Sequence, residues 1–98
     1  MQVGIEVLSK IPAENQREFI QSFNILPQFK GCNDKCNFHT LFEDVGAMNH
    51  FLWVEHWTDQ KALEKYLQSD RFKTILGAIE ALGELIYFNT IKINIMQN

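Results

Sequence analysis

Residues 51–72, FLWVEHWTDQKALEKYLQSDRF, decide the fold of this chain. The first seven of them alternate between two faces, which is the period of a β-strand. Thr58 or Asp59 can then accept hydrogen bonds from the unpaired N–H groups of a first helical turn. Ser69 repeats that capping signal before Asp70. The segment therefore predicts a strand followed by a helix that breaks once and restarts.

Two apolar stripes at helical spacing flank this break, and both are expected to face the core. They comprise Ala62, Leu63, Tyr66 and Leu67 before the break, and Phe72, Ile75, Leu76 and Ile79 after it. Gly83 is well placed to end the second helix. A last strand is predicted over residues 86–95, with Ile91, Ile93 and Ile95 on one face.

The chain before residue 51 follows the same alternation of strand and helix. Residues 3–7 alternate as a first strand, and Pro12 suits the first turn of the helix that follows. The apolar stripe of this helix comprises Phe19, Ile20, Phe23 and Leu26. Pro27 and Gly31 are expected to end the helix. A second strand over residues 37–43 is joined to the third by a turn-like stretch at residues 44–50, which predicts a hairpin.

The resulting order is strand, helix, strand, strand, helix, strand. It predicts an α+β, ferredoxin-like βαββαβ fold with a four-stranded antiparallel sheet and both helical regions on one face. Bulky apolar residues nevertheless occur on both faces of the first, third and last strands. The uncovered face needs a partner, and the simplest partner is the same face of another subunit. We therefore expect a homodimer that forms through its sheet faces.

Length and charge exclude several classes of protein. The 98 residues suit a single domain over residues 1–98, because the chain is too short for two independent cores. The net charge is -3 and no basic run occurs, which argues against nucleic acid as a partner. Glu6 interrupts the apolar N-terminus, which reads as a strand rather than a secretion signal. No stretch approaches the roughly 18 apolar residues of a membrane helix, so we expect a cytoplasmic protein with no membrane partner.

The order of motifs in residues 31–82 resembles the antibiotic biosynthesis monooxygenase family. Gly31-Cys32 precedes the second strand, Glu55-x-Trp57 ends the third, and the capped, broken helix follows. The resemblance implies a ferredoxin-like protein that dimerises as a dimeric α/β barrel, with a ligand in the cleft between sheet and helices. Members of the family include cofactor-independent oxygenases of quinols or polyketide-like phenols, a branch that binds and degrades heme, and many proteins without assigned chemistry.

The sequence departs from that family pattern in the second helical region. Family members commonly carry histidines where Tyr66 and Arg71 stand, and the heme-degrading branch carries a tryptophan at position 66 and an iron-ligating histidine near Leu76. We therefore expect no heme and no other cofactor. The missing histidines favour a rival hypothesis, a non-catalytic small-ligand-binding or stress-associated dimer. A third alternative is an isomerase or lactone-forming enzyme on the same scaffold.

The candidate catalytic residues are His39, Glu55 and Tyr66. In the oxygenation of a quinol or similar phenol, His39 would carry a proton, Glu55 would be a base or an anchor, and Tyr66 would donate its hydroxyl. Each residue also has a structural alternative. His39 could be a surface residue and Tyr66 a core residue with one satisfied hydrogen bond. Glu55, if buried, needs a partner, and a salt bridge with Arg71 or Lys73 would supply one.

The candidate substrate-binding residues are Trp53, Trp57, Arg71 and Phe72. The flat indole side chains could stack on an aromatic substrate, or they could simply bury large areas in the core or the dimer interface. His56 points to the face opposite Glu55, and a structural role is expected for it.

Cys32, Cys36 and His39 form a C-x3-C-x2-H pattern that superficially suggests a metal site. Zinc usually takes four ligands in a tetrahedral arrangement, and only three residues converge here, with Asp34 or His50 as a candidate fourth. We therefore expect two ordinary thiols, kept reduced in the cytoplasm, rather than a metal site or a disulfide.

Overall fold

Four strands and three α-helices follow one another among the residues that the structure describes. The structure, a computed structural model, describes residues 2–25 and 35–93. The elements are β1 (Gln2–Lys10), a 3₁₀ turn (Ala13–Asn15), α1 (Gln16–Ile25), β2 (Cys36–Glu43), β3 (His50–Trp57), α2 (Gln60–Leu67), α3 (Asp70–Leu82) and β4 (Glu84–Ile93). The strands form one antiparallel sheet in the order β2-β3-β1-β4. This arrangement confirms the predicted α+β, ferredoxin-like βαββαβ fold.

The first helix differs from the prediction at its start and on one side. Pro12 caps the 3₁₀ turn, and α1 itself begins only at Gln16. Phe19 and Phe23 are buried as predicted, but Ile20 is 38% exposed, so its place in the inner stripe was predicted wrongly. Successive helical residues point about 100° apart, and Ile20 falls at the margin of the buried face. Predictions for Leu26, Pro27, Gly31, Cys32, Asp34 and Ile95 lie outside the described residues.

The predicted helix break after β3 is confirmed by two side-chain caps. Asp59 precedes α2 and accepts hydrogen bonds from the backbone N–H groups of Lys61 and Ala62. Ser69 precedes α3, and its hydroxyl accepts a hydrogen bond of 3.2 Å from the Phe72 N–H group. These caps satisfy N–H groups that have no partner within the helices, and they therefore fix where each helix starts.

Gly83 ends α3 as predicted, but for a reason that the sequence did not reveal. Its φ of -167° is ordinary extended backbone, so the position does not need the left-handed conformation of glycine. A Cβ atom there would instead collide with the carbonyl oxygen of Lys10 and the side chain of Ile11. The absence of a side chain lets the start of β4 approach the end of β1 closely.

The core lies between the helices and one face of the sheet. The alternation of β1 turns Val3, Ile5 and Val7 toward the helices, and each is at most 6% exposed. The helices contribute the buried side chains of Phe19, Phe23, Leu63, Tyr66, Phe72, Ile75 and Ile79. Ala62, Leu67 and Leu76, which were predicted to face inward, are partly buried at the margin of this core. Because side chains alternate along β3, Glu55 shares this covered face with the two tryptophans.

The turn between β2 and β3 is fixed to the start of α1 through Asn49. The backbone of Asn49 has a φ of 65°, a left-handed conformation that asparagine tolerates better than most residues. Its carbonyl oxygen accepts a 2.8 Å hydrogen bond from the Ile11 N–H group. Its side-chain oxygen accepts one of 2.8 Å from the Gln16 amide. These contacts tie the hairpin turn to the link between β1 and α1.

The opposite face of the sheet carries many apolar side chains, and no described helix packs on it. This surface, the open face, includes Leu8, Phe38, Phe42, Leu52, Val54, His56, Tyr87 and Ile91. Phe38, Phe42 and Tyr87 are 38%, 47% and 37% exposed. The His56 ring lies 4.8 Å from that of Phe38, which confirms the prediction that His56 points away from Glu55.

No helix among residues 2–25 and 35–93 has both the length and the apolar character needed to cross a membrane. The cytoplasmic location remains a prediction.

Candidate active site around Glu55

A fully buried carboxylate lies at the centre of the covered sheet face. Glu55 is 0% exposed and sits between the two tryptophans of β3. The indole nitrogen of Trp53 donates a 3.0 Å hydrogen bond to Oε2, and that of Trp57 donates a 3.0 Å bond to Oε1. The Tyr66 hydroxyl donates to Oε2 at 3.3 Å, and Nδ1 of His39 lies 2.9 Å from the same oxygen. Four side chains therefore converge on one carboxylate.

This arrangement suits an ionised carboxylate. An indole N–H group can only donate, so both oxygens of Glu55 must accept from the tryptophans. A buried charge without partners would be very costly, and several directed donors offset that cost. The basic side chain that contacts Glu55 is His39, through the Nδ1–Oε2 contact of 2.9 Å. The alternative salt bridge with Arg71 or Lys73 is thus replaced by contacts from β2, β3 and α2.

Tyr66 is kept in its hydroxyl form at this site. Burial raises the pKa of Tyr66 above its usual value, and the negative charge of Glu55 and the hydrogen bond to it raise the pKa further. The positive charge of Arg71 acts in the opposite direction and is the smallest of these influences. Tyr66 is therefore a hydrogen-bond donor near neutral pH and cannot act there as a phenolate base.

His39 has one ring nitrogen engaged and one without a partner. In the neutral imidazole, the short Nδ1 contact is an N–H group that donates to the ionised carboxylate, and Nε2 carries a lone pair. Nε2 is buried and has no hydrogen-bond partner among the described residues. A carboxylate that fixes the tautomer of a histidine and leaves its other nitrogen basic is the arrangement found in catalytic triads.

A cleft of about 460 Å³ reaches His39 from the edge of the sheet, between α1 and β2. It is lined by Ile20, Phe23, His39, Thr40, Leu41, Glu43 and Phe51. Its walls are mainly apolar, and the exposed Glu43 brings a negative charge to its lining. His39 is the residue shared by this cleft and by the cluster around Glu55.

The structure brings most of the predicted site residues together, but only one of them reaches the cleft and the others lie behind it in the core. His39 lines the cleft, whereas Trp53 and Trp57 are at most 1% exposed and are not among the residues that line it. Phe72 packs behind them, with its ring 5.9 Å from Trp53 and 5.5 Å from Tyr66. Arg71 lies on the exposed side of α3.

The role of Phe23 is the feature that sequence reasoning missed. Its ring stacks on the His39 imidazole at a centroid distance of 4.8 Å and an angle of 13°. The helical stripe predicted Phe23 only as a core residue, because periodicity gives the buried face of a helix and not the identity of its contacts.

Cys36, at the start of β2, is disulfide-bonded. The expectation of an ordinary reduced thiol is therefore wrong at Cys36, and Cys32 lies outside the described residues. A thiolate is the form in which cysteine binds metals, and the disulfide removes it from Cys36. Among the described residues, no group of three or more histidine, cysteine or acidic side chains is arranged to hold a metal ion.

Three solved structures share this fold over nearly the whole chain. A conserved protein from Methanosarcina mazei has a TM-score of 0.82 and 17% identity, covering 96% of this chain and 94% of its own. A protein from Deinococcus radiodurans assigned to the antibiotic biosynthesis monooxygenases has a TM-score of 0.80 and 23% identity, covering 100% and 97%. A variant of SnoaB, a cofactor-independent oxygenase from Streptomyces nogalater, has a TM-score of 0.79 and 19% identity, covering 97% and 95%.

At these identities the likeness shows a common fold. No curated protein is significantly similar to the chain in sequence. The sequence profile of one family, by contrast, matches residues 3–78, a span that contains β1 to most of α3 and every residue of the cluster around Glu55. This match confirms the resemblance seen in the motifs: the chain belongs to the antibiotic biosynthesis monooxygenase family.

Proposed function

We propose that this protein is a cofactor-independent monooxygenase of a quinol or a related phenol, with His39 as the base. One observation carries the proposal. The imidazole is fixed 2.9 Å from the buried Glu55 carboxylate, while its other nitrogen has no partner among the described residues. A base held in this way suits removal of a proton from a hydroxyl group that enters the cleft. The fold shared with SnoaB, a cofactor-independent oxygenase, supports the choice of reaction.

The first step is transfer of the hydroxyl proton from the substrate to Nε2 of His39. The imidazolium that forms is stabilised by the Glu55 carboxylate on its far side. The phenolate left behind is electron-rich, and it transfers electrons to dioxygen. For a naphthohydroquinone, one oxygen atom enters the ring to give a hydroxynaphthoquinone and the other leaves as water. The substrate supplies all the electrons in this balance, so no external reductant is needed.

The remaining predicted residues act through Glu55. Trp53, Trp57 and Tyr66 hold the carboxylate in place and are positioning residues in this mechanism. Direct contact of Trp53, Trp57, Phe72 or Arg71 with the substrate remains a prediction.

The test is oxygen uptake with a naphthohydroquinone, measured above the rate of autoxidation, for wild type and His39→Gln. His50→Gln is the matched control, because His50 lies at the start of β3, away from Glu55, and contacts the Met48 carbonyl group. Loss of a general base should lower kcat/KM by roughly 10²-fold or more, while the control keeps its rate. Isotopically labelled dioxygen should leave one labelled atom in the hydroxyquinone. An unchanged rate in His39→Gln would remove His39 from the mechanism.

The second candidate function is a non-catalytic dimer that binds a small aromatic ligand. It is favoured by Tyr66, which stands where the family commonly carries histidine and whose hydroxyl is tied to Glu55 within the core. A naphthol that cannot be oxidised to a quinone in the assay would raise the melting temperature under either hypothesis. Stabilisation without oxygen uptake from any quinol would select the binding protein.

We also propose that the protein is a homodimer that forms through its open face. Three aromatic side chains there are more than one third exposed, which is a large apolar surface for a monomer. Phe42→Glu should yield monomers in sedimentation experiments, because it places a charge within the apolar contact. Val45→Glu is the control, because Val45 is fully exposed in the turn beside the sheet. Dimers of Phe42→Glu would exclude this interface.

A further inference from the structure

A buried acceptor without a hydrogen bond is rare in folded proteins. Nε2 of His39 is such an atom within the described residues, although His39 lines a cleft that opens to solvent. Water does not reach this nitrogen in the structure, and neither can a ligand without a rearrangement. A neighbouring side chain must therefore move before any hydroxyl group meets Nε2.

Phe23 is the ring that lies against the face of the imidazole and also borders the cleft. Its ring lies nearly parallel to the imidazole of His39, with centroids 4.8 Å apart, and edge-on to Trp53 at 5.8 Å and 82°. These are the geometries in which a bound aromatic molecule would be held. Phe23 is 8% exposed and also lines the cleft. It lies in the last turn of α1, which ends at Ile25.

We propose that Phe23 is an internal stand-in for the ligand: a planar, hydroxylated aromatic molecule displaces the Phe23 ring from the His39 imidazole and donates its hydroxyl to Nε2. The inference uses the same site as the proposed oxygenase and names what that site recognises. A displaced phenyl ring needs room, and the 460 Å³ cleft lies within the range of about 300–1,000 Å³ typical of small-molecule sites. The gain is a hydrogen bond for a nitrogen that otherwise has none.

The lining of the cleft also favours one class of such molecules. Leu41, Phe51 and Ile20 offer apolar contact, and Glu43 is the acidic residue among the lining side chains. A carboxylate or sulfonate on the ligand would meet like charge at this rim. An uncharged naphthol should therefore bind more tightly than a naphthol sulfonate, and Glu43→Gln should reduce the difference.

The test is anaerobic calorimetric titration with an uncharged naphthol, for wild type, Phe23→Leu and Phe19→Leu. Removal of the competing ring should tighten binding by roughly three- to tenfold, the range that an aromatic pair accounts for. Phe19→Leu is the matched control, because Phe19 is a buried α1 phenylalanine that packs on Phe51, with centroids 5.4 Å apart. If Phe23 is merely a wall on which the ligand stacks, Phe23→Leu will bind more weakly.

A measurement on wild type keeps the inference open to refutation if Phe23→Leu does not fold. Nuclear magnetic resonance of the wild-type protein should show two changes on addition of naphthol. The nitrogen signal of His39 Nε2 should shift as it accepts a hydrogen bond, and the Phe23 ring protons should lose the shielding caused by the imidazole. No binding, or binding with an unchanged Phe23 signal, overturns the inference. Both changes without oxygen uptake from any quinol would uphold it and refute the oxygenase.

Discussion

Replacement of Glu55 by glutamine is the most discriminating change that this structure offers. A glutamine has nearly the same shape, but its side chain presents one oxygen and one NH₂ group. If the oxygen takes the Oε2 position, it still accepts from Trp53, Tyr66 and His39. The NH₂ group then faces the Trp57 indole across 3.0 Å, where two donors oppose each other.

The cost follows from these contacts. One buried N–H group without an acceptor costs roughly 1–3 kcal/mol, and each bond kept at the amide oxygen loses the extra strength of a charged acceptor. Removal of a buried charge offsets part of the loss. We expect a net destabilisation of about 3 kcal/mol, which lowers the Tm of a domain of this size by roughly 10–25 °C.

The assay is urea unfolding followed by circular dichroism, with Glu64→Gln as the control for the chemistry of the change. Glu64 is exposed on α2, where it accepts a 3.2 Å hydrogen bond from Gln60, so the control should change stability by less than about 0.5 kcal/mol. Adding Trp57→Phe to Glu55→Gln removes the opposing donor. The double variant should therefore be more stable than the sum of the single changes predicts, by roughly 1–3 kcal/mol. Additive effects, or wild-type stability in Glu55→Gln, would refute the conclusion that four side chains donate hydrogen bonds to the Glu55 carboxylate.

Three further changes test separate parts of the molecule. The folded protein holds the Tyr66 proton more tightly than the unfolded chain does. The contribution of Tyr66 to the free energy of unfolding is therefore complete below the unfolded pKa of about 10. Above that pH it declines, by up to about 1.4 kcal/mol per pH unit. Denaturation at rising alkaline pH should show this decline in wild type, and Tyr66→Phe should lack it. Asn49→Ala should lower the free energy of unfolding by about 2 kcal/mol, since it loses the Gln16 contact and strains a backbone at positive φ, whereas Asn49→Gly should lose less. Ser69→Ala should cost about 1 kcal/mol by removing the cap of α3, and equal stability would deny that the cap matters.

The order of elements was predictable because its signals are local. Asp59 and Ser69 mark helix starts through contacts with residues two or three positions away, and the alternation of β3 sets which side chains face the helices. Ile20 was predicted wrongly because a stripe read from periodicity has uncertain edges. Gly83 was predicted correctly for the wrong reason, since the close approach of Lys10 and Ile11 to Gly83 is a tertiary contact.

Part of the site was within reach of the sequence. Asp44 and His50 close the hairpin, with the Asp44 N–H group donating to the His50 carbonyl oxygen. Counting outward from that pair places His39 directly opposite Glu55, the register that the structure has. A hairpin closed by Asp44 and His50 therefore predicts the pairing of His39 with Glu55.

Other parts of the site were not accessible in this way. The stacking of Phe23 on His39 depends on how α1 crosses the sheet, which no spacing along the chain encodes. Nor did the sequence distinguish a thiol from a disulfide at Cys36, because that depends on geometry and on the redox compartment.

Both tryptophans of the chain donate their indole N–H groups to Glu55, at 3.0 Å each. The intrinsic fluorescence of this protein is therefore a spectroscopic report on one carboxylate and its surroundings, without any added label. Tryptophan emission and the circular dichroism of the helices should change together if the domain unfolds in a single step. An emission change that precedes the loss of helix would mean that the cluster opens to water while the scaffold is still folded, and its midpoint would give the free energy of that local opening.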